Sequence, residues 1–267
     1  MPVRLTEIII YPVKSMRGIS LTSSYAGMKG LQYDRRWMLV DRSGHFLTQR
    51  IMPTMAIFDV GMNENGFTIG MRNDQLQIPF EIRPEEKIRI DIWESELLVS
   101  LAPKHYSEWF SDHLNVDCSL VFMNPAVNRT IPEKYQINKE SVSFADAFPY
   151  LLTGESSLID LNGRLLQKLS MDRFRPNLVI SGAPAYFEDS LNMFYMGSAR
   201  FKAVKPCARC MIINTDQITG DRGKEPLRTL AEYRGEGNNV FFGQNLICIK
   251  EGLVNVGDAL TDSAQLS

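Results

Sequence analysis

Three things are scarce in this sequence: cysteine and histidine, long apolar runs, and an excess of charge of either sign. Only four cysteines occur among 267 residues, too few for a disulfide scaffold in a chain of this length. A reducing, cytoplasmic location is therefore expected. The three histidines, His45, His105 and His113, all fall in the first half. No apolar stretch approaches the roughly 20 residues that cross a bilayer. The opening "MPVRLTEIIIYPVKS" has an apolar run too short for a secretion signal, with no cleavage pattern behind it. No membrane association is expected. The net charge is -2, so a nucleic-acid polymer is not expected as a partner. An anionic ligand would have to be held by a local basic cluster. Internal repeats and low-complexity segments are also missing.

What is present is a balanced globular composition. Apolar residues make up 44% and charged residues 22%, enough to bury a sizeable core in two modest domains or one large all-β domain. The first hundred residues read as short strands and tight turns: "VRLTEIIIY", a hairpin over "RRWMLVD" and "HFLTQR", three short runs from "MAIFDVGM" to "QLQIPF", and a hairpin over "KIRIDIW" and "LLVSLA". That spacing predicts a barrel or sandwich. Pro103 opens a helix with Tyr106, Trp109, Phe110 and Leu114 on one face, a pattern of core packing. "CSLVFM" is a strand, and residues 124–146 form a polar, irregular loop. A second helix starts near 155, its buried stripe being Leu158, Leu161, Leu165 and Leu169. "NLVISG" and "MFYMGSARFKAV" are strands. A third helix over "KEPLRTLAEYRG" has Pro226 at its start and Gly235 past its end. "NVFFGQNLICIK" and "LVNVGDAL" then close the chain as a hairpin.

The stretch "KPCARC", residues 205–210, concentrates chemistry. Cys207 and Cys210 stand two apart, with Arg209 between them and Lys205 ahead. Structural zinc needs four ligands, and Cys118 and Cys248 stand alone. A thioredoxin-like pair needs a helix N-terminus at its first thiol. Here "MIINTDQITG" follows and reads as a strand ending in a turn. Two buried small hydrophobes are a further reading. The flanking cations favour thiolate, which could give one soft ligand to a metal whose other ligands come with an organic cofactor. Spacing alone leaves these alternatives open.

Basic residues gather at other turn motifs. "YPVKSMRG" carries Lys14 and Ser15, "YDRRW" carries Arg35 and Arg36, and "DRFRPN" carries Arg173, Arg175 and Asn177. Arginine binds phosphate bidentately, while lysine and serine add a point charge and a hydroxyl donor. Together with "KPCARC" they suggest a phosphate-bearing ligand held at loop ends near a thiolate.

In order along the chain, "YPVKS", "DRRWMLVD", "FLTQR", "FRPNLVISG", "AYFEDS", "CARC", "TGDRGKEPLRTLAEYR" and "FGQNL" resemble the MOSC-domain family, in particular its amidoxime-reducing branch and bacterial relatives. The likeness covers residues from about 8 to 60 and from about 145 to 260. It implies a mainly β fold with a few helices (α+β): an N-terminal MOSC-type β-barrel domain over residues 1–120 and a C-terminal MOSC β-barrel domain over 121–264. It implies a molybdenum–molybdopterin cofactor between them, with Cys210 as the protein's metal ligand and Cys207 as a neighbour. Lys14, Ser15, Arg35, Arg175, Asn177, Arg209 and Cys210 become cofactor-binding residues. Cys210, Asn177 and Asp189 become the catalytic set, Asp189 shaping the pocket or relaying protons. The implied activity is reduction of N-hydroxylated compounds: amidoximes, hydroxylamines and N-hydroxylated bases.

Two departures from the pattern matter. Relatives tend to carry hydroxyl residues just before the second helix, where this chain has "ADAFPY", so contacts from Ala147 or Phe148 would be through backbone. Longer bacterial relatives append a ferredoxin-like domain, and the four clustered cysteines that its 2Fe–2S centre needs do not occur here. Electrons are therefore expected from a separate donor protein of flavin-reductase or ferredoxin type. Two rival functions are a sulfur carrier using a Cys210 persulfide and a non-catalytic molybdopterin carrier.

Overall fold

The run "RLTEIII" makes the strand Arg4–Ile10, which buries Leu5, Ile8, Ile9 and Ile10. Its β-branched residues suit a pleated surface buried on both sides. In the computed structural model, which describes residues 2–82 and 86–262, this strand joins a nine-stranded sheet. The order across the sheet is Leu260–Asp262, Met193–Met196, Ala199–Ala208, Asn239–Lys250, Tyr150–Gly154, Leu178–Ser181, Arg4–Ile10 and Ile19–Leu21. The short Gly235–Glu236 pairs with Asn239–Lys250 off this path. The N-terminal strand thus lies in the same sheet as strands from the second half of the chain. Only Tyr150–Gly154 and Leu178–Ser181 run parallel in it, with the helix Glu155–Asn162 as their crossover, as parallel pairing requires.

Three smaller antiparallel sheets complete the fold. Trp37–Val40, Ser119–Phe122, Ser95–Leu101 and Glu86–Ile92 form one. Asp59–Asn63, Gly66–Met71 and Asp74–Pro79 form the second. Gly252–Asn255, Ser23–Gly27 and Gly30–Leu31 form the third. The mainly β expectation therefore holds, and a large apolar cluster that includes Leu5, Trp37, Phe67, Phe110, Leu152 and Phe201 joins the sheets. No helix among the described residues is long and apolar enough to cross a membrane.

The first helix, Lys104–Leu114, buries Tyr106, Phe110 and Leu114 as expected, and Asn115 ends it in the left-handed conformation at φ 52°. The helix Glu155–Asn162 is shorter than its leucine pattern suggests. The Asn162 amide bonds both the N–H and the carbonyl of Leu169, at 2.9 Å each, a side-chain capture that competes with further helix. Leu165 still packs on the core from the loop beyond. The third helix, Leu227–Arg234, lies between Pro226 and Gly235 as read.

Two sequence expectations are corrected. The last two strands do not form a hairpin: Asn239–Lys250 pairs with Ala199–Ala208 and Tyr150–Gly154, whereas Gly252–Asn255 crosses to Ser23–Gly27. Gly252 has no room for a side chain there, because a Cβ would sit 2.6 Å from the Ser198 backbone. The segment after Cys210 is a 3-10 turn, Met211–Asn214, rather than a strand. Its β-branched isoleucines serve packing, with Ile213 buried against Phe174 and Phe242 in a second cluster.

Leu152 lies at the centre of the large sheet and is fully buried. Leu152→Ala is expected to lower stability by about 2–5 kcal/mol, read as a shift in the urea midpoint at unchanged m-value.

Candidate functional site

Lys14 and Ser15 follow the first strand, where the Lys14 N–H donates to the Trp37 carbonyl at 2.8 Å. Arg35 sits one turn before Trp37, and its N–H donates to the Tyr11 carbonyl at 2.8 Å. Arg175 caps the 3-10 turn Met171–Phe174. Ser15, Arg35 and Arg175 all hold left-handed backbone, at φ 69°, 49° and 55°. Non-glycine residues seldom accept that region, and strained positions of this kind cluster at functional sites.

These loops meet the end of Ala199–Ala208 around a cavity of about 180 Å³. Its lining includes Lys14, Ser15, Arg35, Arg175, Asn177, Cys207, Arg209 and Cys210. The seven residues that the resemblance implies bind the cofactor therefore line one cavity, whereas Arg36 and Arg173 of the same basic motifs do not, Arg173 pairing with Asp216 at 2.6 Å instead. Lys205 is not in the lining; its ammonium lies 5.8 Å from the centroid of the Tyr135 ring. Asp189 does not line the cavity either. It pairs with Arg234 at 2.5 Å, which is not in the lining either. The 3-10 turn Phe187–Ser190 directs Glu188 inward instead, where its carboxylate accepts from the Gly154 N–H at 3.0 Å and the Ser157 hydroxyl at 2.8 Å. Burial pushes the Glu188 carboxyl above its usual range.

Tyr11, which sequence reasoning passed over, organises the cations. The Arg35 and Arg175 guanidinium groups lie 4.3 and 4.2 Å from its ring centroid. The fully buried Asp34 accepts from the Tyr11 N–H at 2.9 Å and from Arg35 at 2.7 Å. Asn177 ties the arrangement to the sheet: its amide donates to the Ile9 carbonyl at 3.1 Å and accepts from Arg35 at 3.1 Å and the Leu151 N–H at 3.3 Å. With both ends engaged by protein, Asn177 positions the arginine as well as lining the cavity.

The cavity carries five cationic side chains, Lys14, Arg35, Arg50, Arg175 and Arg209, against one carboxylate, Asp146. Lys14 pairs with Asp146 at 2.6 Å and donates to the Phe144 carbonyl at 2.7 Å. Arg50 reaches the other carboxylate oxygen at 3.1 Å. Burial lowers the Lys14 pKa to about 8, against the opposing pull of Asp146. Desolvation would raise the Asp146 pKa, but Lys14 and Arg50 outweigh it and hold the carboxyl well below its usual range. Burial also lowers Arg175 to about 10, with neighbouring Arg35 adding to the effect. Among the described residues Arg175 has no ion-pair partner. Arg209 donates to the Phe174 carbonyl at 2.7 Å and to the Cys207 sulfur at 3.1 Å, while its buried Nε has no partner. Arg129 fixes the wall behind Asp146 by donating to the Ser143 and Ala145 carbonyls at 2.9 and 2.6 Å. Arg50, Arg129 and Asp146 carry no spacing that sequence reading could have used; the signal was the place of Arg50 beside "FLTQ" and of Asp146 in "ADAF", and Arg129 had none.

The sulfurs of Cys207 and Cys210 are half-buried at this wall, while Cys118 and Cys248 are buried elsewhere. Among the described residues no group of three or more His, Cys, Asp or Glu side chains is gathered to hold a metal ion. A metal at Cys210 would need ligands of its own. The arrangement as a whole is a cationic socket with a soft donor at its edge.

The MOSC domain matches residues 139–261, and the MOSC N-terminal beta barrel domain matches residues 2–117. Mouse mitochondrial amidoxime-reducing component 1 is 31% identical over 95% of this chain and 80% of its own length. The chain belongs to the MOSC-domain family. This MOSC protein is also 28% identical to human mitochondrial amidoxime-reducing component 1, over 95% of the chain and 81% of that protein. It is 33% identical to a rice molybdenum cofactor sulfurase over 90% of the chain, but spans only 32% of that relative's length.

Asp146→Asn in this MOSC protein leaves the Lys14 ammonium short of its anion. A loss of about 1–3 kcal/mol is expected near neutral pH, below the value for a fully buried pair because the carboxylate is half exposed. The penalty requires Lys14 to be charged in the folded state. It should shrink as pH rises through about 8, where native Lys14 loses its proton while the unfolded lysine keeps it. Urea titrations of both forms between neutral and alkaline pH measure this.

Proposed function

We propose that the protein is a molybdenum-cofactor-binding oxidoreductase that reduces N-hydroxylated compounds, such as amidoximes, hydroxylamines and N-hydroxylated bases. Its electrons would come from a separate donor protein. The overall reaction consumes two electrons and two protons per N–OH group and yields the reduced nitrogen compound and water. The observation that carries this reading is that Cys210 shares one cavity with Lys14, Arg35, Arg175 and Arg209. The relatives named as amidoxime-reducing components support the reaction class.

The donor set suits a phosphate-bearing cofactor. A buried cavity with more cations than carboxylates is costly unless an anion enters. Arg175, with no ion-pair partner among the described residues, and Arg209, with an orphaned buried Nε, have capacity left for phosphate oxygens. Arg35 is already oriented by Asp34 and the Asn177 amide. Arg175, Arg209 and Arg35 would hold the phosphate end, with Ser15 adding a hydroxyl and Cys210 the thiolate ligand. Lys14 plays a different part from the one its motif implies. Held by Asp146 and the Phe144 carbonyl, it sets the local charge from the wall, and its pKa of about 8 suits proton exchange near neutral pH. The cofactor, when bound, supplies the two-electron oxygen-transfer chemistry; the protein binds, orients and screens it.

A second reading, sulfur transfer through a Cys210 persulfide, is favoured by the cofactor-sulfurase relative and by the half-exposed thiol. Mass spectrometry of freshly purified protein separates the two, since added sulfur on Cys210 without molybdenum supports transfer.

Elemental analysis of protein from a molybdenum-replete host tests the main reading. Cys210→Ser should lose molybdenum and activity by at least the roughly 10–100-fold that follows loss of a supporting residue at a metal site. Cys207→Ser should retain most of both, and the reverse pattern would move the ligand role to Cys207.

A further inference from the structure

A second cavity, of about 940 Å³, opens beside the first, and the two share Arg50, Asp146 and Ala147. Its other lining residues include Trp93, Glu94, Thr130, Ile131, Pro132 and Glu133. Trp93 is the unusual one. It is the first residue of the two-residue turn between Glu86–Ile92 and Ser95–Leu101, whose ends pair at Ile92 and Ser95. Its φ is 54°, a conformation for which such turns use glycine, asparagine or aspartate. The side chain is 47% exposed, so packing is a weak reason for a tryptophan to accept that backbone. The indole is nonetheless held in place. The Phe46 ring lies 5.2 Å from it and the Arg50 guanidinium 4.7 Å from its centroid. Arg50 in turn reaches Asp146 at 3.1 Å. A line of contacts therefore runs from the exposed indole, through Arg50, to the carboxylate at the wall of the Cys210 cavity.

We propose that the larger cavity is the substrate vestibule and that Trp93 is a specificity-determining residue, selecting flat aromatic N-hydroxylated compounds. This rests on the reductase reading for the chemistry of the ligand. A rigid, partly exposed indole offers a face to a planar ring, and Ile131, Pro132 and Ala147 add apolar surface to a lining that is otherwise polar and charged. The Glu94, Glu133 and Asp146 carboxylates in the lining, balanced by Arg50, Arg129 and Lys139, accept from the N–H donors of an amidoxime. The ring stacks at Trp93, and the N–OH group lies toward the Arg50–Asp146 boundary.

The test compares benzamidoxime with acetamidoxime, which shares the reacting group and lacks the ring. Calorimetry on cofactor-free wild-type protein should show benzamidoxime binding more tightly by about tenfold. Benzamidoxime should also quench tryptophan fluorescence through Trp93, since Trp37 is fully buried and Trp109 is not in this lining. Trp93→Gly should abolish both effects. Its melting temperature should be equal or higher, because glycine suits the left-handed turn, so lost binding would not reflect unfolding. In molybdenum-loaded protein the kcat/KM ratio of the aryl to the alkyl substrate should fall about tenfold, mainly through KM. Equal binding of the two compounds by the wild type, or unchanged selectivity in Trp93→Gly, overturns the proposal. Aryl binding that depends on Trp93, with no reduction of any N-hydroxylated compound by the loaded enzyme, would retain the vestibule and overturn the reductase reading.

Discussion

Two guanidinium groups on the ring of Tyr11 are the contact on which the site depends. Like charges this close repel, and taking them from water costs several kcal/mol per ion. The aromatic ring, the buried Asp34 and the Asn177 amide offset part of that cost for Arg35. For Arg175, which lacks a carboxylate partner among the described residues, the ring is the main compensation. The socket is therefore prepared for an anion before one arrives, and binding needs little reorganisation of the protein.

The same constraint explains the backbone. Ser15, Arg35 and Arg175 adopt left-handed conformations because three chain segments must turn sharply where strands end and still aim polar groups into one small cavity. Packing holds them there. Tyr11 and Phe174 are buried in a cluster with Phe242 and Leu230, and Tyr11 also donates from its hydroxyl to the Pro176 carbonyl at 3.1 Å. Removing the apolar support would release the strain and the charge together. The Asp146 wall follows the same logic on the opposite side, where the nearly buried Arg129 gathers successive carbonyls of one loop.

The large sheet makes this geometry possible. Arg4–Ile10 and Leu178–Ser181 are neighbours in it, so the loops after the first strand and before the parallel strand emerge at one end. Ala199–Ala208 delivers the cysteine motif to the same region. A strand near the start of the chain thus becomes part of a site whose other walls come from its second half.

Much of this was legible from residues alone, for reasons that are local. Strand periodicity, turn residues and helix ends depend on neighbours within a few positions, so Lys14, Ser15, Arg35, Arg175 and Asn177 could be singled out, with Arg36 and Arg173, as polar residues at strand ends, and Arg209 and Cys210 as a basic thiol motif. The mainly β character and the three helices rest on the same short-range signals. The tertiary structure decided which motif residues share a cavity and which charges remain unpaired. It sent Asp189 to Arg234, gave Lys14 a carboxylate partner in Asp146, moved the final strand to another sheet and set Trp93 at the mouth of a second cavity. Those outcomes depend on pairings between residues tens to hundreds of positions apart, and electrostatic and packing energies there are set by distance in space, which no local pattern encodes.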